Sequence, residues 1–323
     1  MPYTDSMRTP WQTFVQTCLF FTTSGLVMAQ TPPTSQPFVV VLGIAQDGGF
    51  PQAGCRRPCC QPAVREITRR RMVTSLAIVD PISRQRWLID CTPDFPDQLQ
   101  LLDTAAPASA NQPLLNGIFL THAHVGHYTG LLHLGREVMG TRNIAVYAMP
   151  RMGAFLKSQG PWSLLVKLNN IHIKPLQAGQ AIHLGKRIRL TPILVPHRDE
   201  FSETVGFSID GPERSVVFIP DIDKWERWDR RVEQLIVAAD RAYLDGTFFD
   251  GQELPNRDIR EVPHPFIIES IQRFVSLADT QRSKVHFIHL NHTNPALVPE
   301  SPAAKAIRAA GMYVAEQGTR YSL

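Results

Sequence analysis

Short apolar runs alternate along the chain with polar joints rich in Gly and Pro. Residues 38–44 form an unbroken β-branched run and predict a buried strand. The joint behind it, 45–60, carries too much Gly and Pro for regular structure. Residues 74–80 and 86–90 predict a hairpin, and 96–102 a short helix with Asp94 as its N-cap. Residues 117–120 are a further buried strand, and Leu131, Leu132 and Leu134 behind Gly130 predict the start of a packed helix. Strands follow at 144–147, 171–176, 181–184, 187–196, 204–209, 215–219, 241–244 and 285–290, with 312–315 as the last. Helices are expected at 150–158, 225–239, 265–277 and 302–310. Two successive sets of strands, each followed by helices, predict an α/β fold, a two-layer sheet core flanked by helices. No break in composition divides 38–323, which reads as one domain.

The N-terminus differs in kind. Arg8 precedes a mostly apolar run over 14–29, and a stretch rich in Thr, Pro and Ser follows. This reads as a signal peptide over 1–30 and a linker over 31–37, with a surface-packed N-terminal helix as the alternative. Export implies a periplasmic or secreted protein; without it the chain is cytoplasmic. No other stretch is long and apolar enough to span a membrane.

Composition narrows the function. Of 323 residues, 43% are hydrophobic and 19% charged, enough apolar content for a globular core. A net charge of +4 is too mild for a nucleic-acid partner without a clustered basic face, and Arg69-Arg70-Arg71 reads as a solvated loop. A small-molecule substrate is the expected partner, and a homodimer stays open.

The candidate chemistry centres on 120–130, Leu-Thr-His-Ala-His-Val-Gly-His-Tyr-Thr-Gly. His122, His124 and His127 lie within six residues, just after an apolar strand. Neutral imidazole is the commonest ligand of zinc-like metals, and this spacing points to ligands. Metal-capable side chains recur at later strand ends as His197, Asp221 and His289. Three of the five cysteines, Cys55, Cys59 and Cys60, lie within six residues and suggest a metal clip, with a thiol cluster or disulfide as alternatives.

With these residues assembled, the chain resembles the metallo-β-lactamase superfamily, whose signature is His-x-His-x-Asp-His plus a later His, Asp and His. It is similar above all to the branch of pyrroloquinoline quinone biosynthesis protein B and the phosphonate-pathway cyclic phosphodiesterases. The marks of that branch are the loop 48–60, Leu244-Asp245-Gly246-Thr247-Phe248, and 288–295 with His289 and His292. The resemblance implies a four-layer αβ/βα sandwich with a metal site where the two sheets meet. It also implies that His122, His124 and His197 hold one metal with Asp221 bridging, and that His127, Asp221 and His289 hold a second.

Gly126 departs from the signature, which carries Asp there. That removes a carboxylate from the second position, so a mononuclear site is the simpler expectation, with Asp47, Asp94 or Asp245 as open substitutes. Zinc suits the donor set, one or two ions, with iron or manganese as alternatives. The resemblance assigns Cys55, Cys59, Cys60 and His292 to a structural zinc, and His264 to a general acid alongside catalytic Asp221. Tyr128 and Asn294 are candidate pocket residues.

The resulting expectation is a metal-dependent hydrolase using a metal-bound hydroxide on a phosphodiester, cyclic phosphate, ester or lactone. An Fe(II) oxygenase-type protein and a non-catalytic metal-binding relative are the alternatives.

Overall fold

The computed structural model describes residues 35–108, 112–254, 258 and 261–323. The signal peptide expected at 1–30, and most of the linker at 31–37, lie outside the described residues. The first half of the chain lays down β1 (Phe38–Gly43), β2 (Ser75–Asp80), β3 (Gln85–Ile89), β4 (Gly117–Phe119), β5 (Ile144–Ala148) and β6 (Ile171–Pro175). The second half lays down β7 (Ile182–Leu184), β8 (Ile188–Leu194), β9 (Val205–Asp210), β10 (Ser215–Ile219), β11 (Arg241–Asp245), β12 (Val285–Ile288) and β13 (Tyr313–Val314), and β14 (Arg320–Ser322) closes the chain. Among the described residues they form two seven-stranded sheets, ordered β14-β1-β2-β3-β4-β5-β6 and β13-β12-β11-β10-β9-β8-β7. Both are mixed. β3 through β6 run parallel, as do β10 through β13, while the other neighbours pair antiparallel.

The continuous apolar run of β1 follows from its position. Val39 and Val41 point into the core between the sheets, while Phe38, Val40 and Leu42 point into the core beneath the helices. β2 and β3 divide the same way, with Leu76, Ile78, Trp87 and Ile89 inward and Ala77, Val79 and Leu88 outward. A strand buried on both faces shows no alternation, because either side of the pleat gains from leaving water. Phe119 of β4 meets Phe207 of β9 edge to face at 6.0 Å, tying the two sheets together. Helices Phe95–Ala105 and Pro150–Ser158 cover the first sheet through Phe95, Leu102, Met152 and Leu156. Helices Val232–Ala238, Ile267–Phe274 and Pro302–Ala309 cover the second through Ile236, Phe274 and Ile307. This is the αβ/βα sandwich. No helix of the described residues is long and apolar enough to cross a membrane.

Four local expectations need correction. The histidine turn leads into a four-residue helix, Val125–Tyr128, and then a 3₁₀ segment, Thr129–Leu134, in place of one packed helix. Residues 225–239 split into the 3₁₀ turn Trp225–Arg227 and the helix Val232–Ala238. Asp94 sits at the N-cap of Phe95–Ala105 without capping it; its Oδ2 accepts from the Val73 N–H at 2.7 Å. The last strand is β14, whose three residues Arg320, Tyr321 and Ser322 are too few and too polar to give an apolar signal.

Candidate metal centre

The polar side chains of the site leave from the C-terminal ends of strands: Asp47 beyond β1, Asp90 after β3, the three clustered histidines after β4, His197 beyond β8, Asp221 after β10, Asp245 closing β11 and His289 after β12. Parallel strands end on one edge, so sequence-distant loops share one floor. Backbone bonds lock the loops together. Val205 N–H donates to the Thr121 carbonyl at 3.1 Å, joining β9 to the histidine turn. Leu290 N–H donates to Ile44, and Gln46 N–H donates back to Leu290, which sets Asp47 opposite His289. Asp90 and His289 both take φ of 66°, the left-handed region that costs a non-Gly residue about 1–2 kcal/mol and turns each side chain back into the site.

Two groups of donors result. In the first, His122 Nε2 lies 2.8 Å from His124 Nδ1 and 3.2 Å from Asp221 Oδ2, and His197 Nε2 lies 3.2 Å from Asp221 Oδ1. In the second, His127 Nε2 lies 3.3 Å from His289 Nε2 and 3.2 Å from Asp47 Oδ1. Asp221 Oδ2 is 3.8 Å from each of these two imidazoles, so one carboxylate faces both groups. Each set brings ligand-capable atoms within reach of one ion.

The far sides of the rings fix which nitrogen faces inward. His122 Nδ1 lies 2.9 Å from Thr121 Oγ1, whose hydroxyl donates to Asp90. His289 Nδ1 lies 2.9 Å from Thr247 Oγ1, whose hydroxyl donates to Asp245 Oδ1 at 2.7 Å. The same His–Thr–Asp relay thus stands in each half of the fold. In both, Nδ1 carries the proton and Nε2 keeps its lone pair for a ligand. His127 Nδ1 donates directly to Asp90 Oδ2 at 2.7 Å, and His124 Nε2 to Glu200 Oε2 at 3.0 Å.

Electrostatics follow from this packing. Burial opposes ionisation of Asp221, but the imidazoles of His197, His289 and His264 packed around it hold its carboxyl well below the usual range. Burial likewise opposes ionisation of Asp47, and His127 and His289 outweigh it. Burial lowers His197 to about 4 and keeps it neutral. Asp47 Oδ1, Asp221 Oδ1 and both ring nitrogens of His197 are buried without a hydrogen-bond partner. Each such atom costs about 1–3 kcal/mol if left unmet. Lone pairs left bare at the meeting point of two carboxylates and several imidazoles fit a bound cation.

His264 stands beside this centre. Its Nδ1 lies 2.9 Å from Asp245 Oδ2 and 3.3 Å from Asp221 Oδ1. Burial alone would lower its pKa, but Asp245 and Asp221 together raise it to about 8. A second cluster sits on the loop after β1. Cys60 Sγ lies 3.4 Å and Cys59 Sγ 3.8 Å from His292 Nδ1, and Cys55 Sγ is 3.9 Å from Cys59 Sγ. All four cysteines described are free thiols, and the adjacent pair Cys59 and Cys60 both face the histidine.

Of the three carboxylates open as substitutes, the structure brings Asp47 to His127 and His289. Asp94 is spent on the Val73 amide. Asp245 is spent on Thr247, Ile222 N and His264. Tyr128 packs into the outer core against Trp162 and Phe155. Asn294 fixes its own turn by accepting from Ala296 N–H and donating to the Gly246 carbonyl. Sequence reading missed Asp90, Thr121, Thr247 and Glu200, which act through the histidines. Asp90, Thr121 and Thr247 share one signal, a position just beyond a strand end, while Glu200 lies in the middle of the loop between β8 and β9 and carries none.

Fold and site define a class. The Beta-lactamase superfamily domain matches residues 85–298, and the chain belongs to that family. Within it, the chain is similar in sequence to PqqB proteins and in fold to a PhnP-family diphosphatase. It is 27% identical over 306 residues to coenzyme PQQ synthesis protein B of Xanthomonas campestris pv. campestris (strain B100), spanning 88% of this chain and 99% of that one. To the same-named protein of Methylorubrum extorquens (strain PA1) it is 26% identical over 305 residues, with the same shares covered. Its fold is similar to that of Zn²⁺-bound PqqB from Methylobacterium extorquens, with TM-score 0.74, 23% identity, and 88% of this chain and 100% of that chain covered. A diphosphatase from the PhnP family follows with TM-score 0.61, 20% identity, and 89% and 97% covered.

Proposed function

We propose that this chain is a metal-dependent hydrolase acting on a small phosphodiester or cyclic phosphate, with an ester or lactone as the next substrate class. The observation that carries the reading is the convergence of His122 Nε2, His124 Nδ1, His197 Nε2 and Asp221 on one buried point beside the His264–Asp245 pair. Three imidazole nitrogens and a carboxylate suit zinc, and the zinc in the similar PqqB structure supports that choice. When bound, the metal lowers the pKa of a water toward neutrality and polarises the phosphoryl or carbonyl oxygen of the substrate.

The chain's own residues do the rest. Asp221, held as a carboxylate, accepts a hydrogen bond from the attacking water and aims it. His264 is the general acid: Asp245 occupies Nδ1, so proton transfer to the leaving oxygen falls to Nε2. A pKa of about 8 keeps that proton on the ring at neutral pH. Cys55, Cys59, Cys60 and His292 would hold a structural zinc that ties the loop after β1 to the loop after β12, a role that four protein donors suit better than catalysis.

Metal-loaded protein assayed with bis-p-nitrophenyl phosphate and a panel of lactones tests the reading. Turnover that His124→Ala abolishes is expected. Absence of turnover on both, with the metal in place, sinks it. The likeness to a coenzyme PQQ synthesis protein favours one rival, an iron centre that activates O₂ with the same three His and Asp. Iron in protein purified without added metal, together with O₂ consumption, selects that rival; zinc opposes it.

A further inference from the structure

We propose that Asp47 is the carboxylate ligand of a second metal position, with His127 Nε2, His289 Nε2 and Asp221 Oδ2, and that Gly126 is the vacancy that admits it. The position where the family motif carries Asp is thus supplied from another loop, 79 residues earlier in the chain. The proposal rests on the metal-centre reading above but not on the reaction assigned to it.

Three observations converge. Asp47 Oδ1 is 3.2 Å from His127 Nε2 and 3.7 Å from His289 Nε2, and those two nitrogens are 3.3 Å apart. Asp47 Oδ1 is buried and meets no hydrogen-bond donor, so the loop delivers a bare carboxylate oxygen to two imidazoles. The third observation concerns Gly126. A Cβ placed there would lie 2.3 Å from Asp47 Oδ1 and 2.5 Å from Asp47 Cα. Heavy atoms do not approach so closely, and the Cα belongs to a backbone pinned by the Gln46–Leu290 bond. Any side chain at 126 would therefore expel Asp47. The glycine and the aspartate are one exchange: the helix gives up its carboxylate, and the β1 loop moves one into the space left. Gly126 then marks a relocated ligand and not a lost one, and the centre has four donors for each of two ions, with Asp221 shared.

The test counts zinc in the purified full-length chain, with the paired substitution as its internal control. Asp47→Ala is expected to lose one equivalent of zinc relative to the unsubstituted chain, with its far-ultraviolet circular dichroism unchanged. Gly126→Asp alone is expected to bring no gain in zinc and a lower Tm, since the new side chain meets Asp47. The pair Asp47→Gly with Gly126→Asp is expected to recover the lost equivalent. Full zinc content in Asp47→Ala overturns the proposal, as does failure of the folded pair to recover the equivalent. Should the hydrolase reading fail, turnover is absent while the zinc counts still follow this order. Should the ligand exchange fail, the counts ignore residue 47 whatever the turnover.

Discussion

His127 and Asp90 are joined through Nδ1 and Oδ2 at 2.7 Å, with both side chains fully shut off from solvent. The carboxylate can only accept, so His127 holds its proton on Nδ1 and turns Nε2 toward Asp47 and Asp221. Asp90 also accepts from the Thr121 amide and hydroxyl, which fixes the relay behind His122. One carboxylate thus orients imidazoles of both donor groups. Asp90→Asn is expected to weaken zinc binding about 10–100-fold, the usual cost of losing such a partner. Glu200, whose side chain is 47% exposed, supports only His124, and Glu200→Gln is expected to change affinity far less. Competition titrations against a chromophoric chelator measure both. Equal effects from the two variants contradict this ranking.

The second prediction separates proton donation from metal binding. His264→Gln is expected to lower kcat about 10²–10⁴-fold on substrates with alkoxide leaving groups, which need a proton. The loss is expected to shrink toward nothing for p-nitrophenolate esters, which leave as stable anions. Zinc content stays unchanged. Asp245→Asn behaves differently, because Asp245 backs both His264 and the Thr247–His289 pair. It is expected to lower kcat and zinc content together. A flat response of His264→Gln across a leaving-group series excludes the general-acid role.

These roles were unequally legible in the sequence. The convergence of His122, His124, His197 and Asp221 was readable because each follows an apolar strand, and strand ends share an edge. The sandwich was readable for a similar reason: β1 and β2 are apolar on both faces, as strands between two cores must be. Asp47 was one of three equal choices, since no periodicity links a Gly- and Pro-rich loop to a helix 79 residues on. Only in the folded chain do its approach to His127 and His289 and its contact with Gly126 distinguish it from Asp94 and Asp245. Asp90 was hidden for another reason. It touches only other polar groups behind the ligands, and its sequence context is that of an ordinary strand end. β14 escaped because its three residues at a sheet edge are too few and too polar to carry a hydrophobic pattern.

The cysteine cluster gives the third prediction. Cys60 is fully buried and burial pushes its thiol up to about 12, so a cation is needed to hold it as thiolate. Cys60→Ser and His292→Ala are each expected to release one zinc and to lower Tm by about 5–10 °C, a few kcal/mol for a chain of this size. Cys91 is equally buried but lies outside the cluster, against Asp90. Cys91→Ala is expected to keep its zinc. Calorimetry beside metal counting distinguishes a zinc clip from a mere thiol cluster, which loses stability without losing metal.

The last prediction concerns pH and the segment that carries His264. Glu253 accepts from Phe249 N–H, Asp250 N–H at 3.2 Å and Thr293 Oγ1 at 3.0 Å, tying this segment to the loop after β12. Burial raises its pKa to about 7 despite those three donors. The sign follows directly. Folding favours the protonated form, so the stability linked to Glu253 is complete below about 4.5 and is lost as pH rises through about 7. The loss amounts to about 3 kcal/mol, from the shift between the two states. Glu253→Gln keeps an acceptor for the two amides and cannot ionise. Between pH 5 and pH 8 the unsubstituted chain is therefore expected to lose about 2–3 kcal/mol more than Glu253→Gln, read as urea unfolding free energies at each pH. The difference between the two proteins isolates Glu253 from the histidines, which titrate alike in both. Parallel pH profiles for the two would show that Glu253 ionises without cost and that another contact anchors the segment.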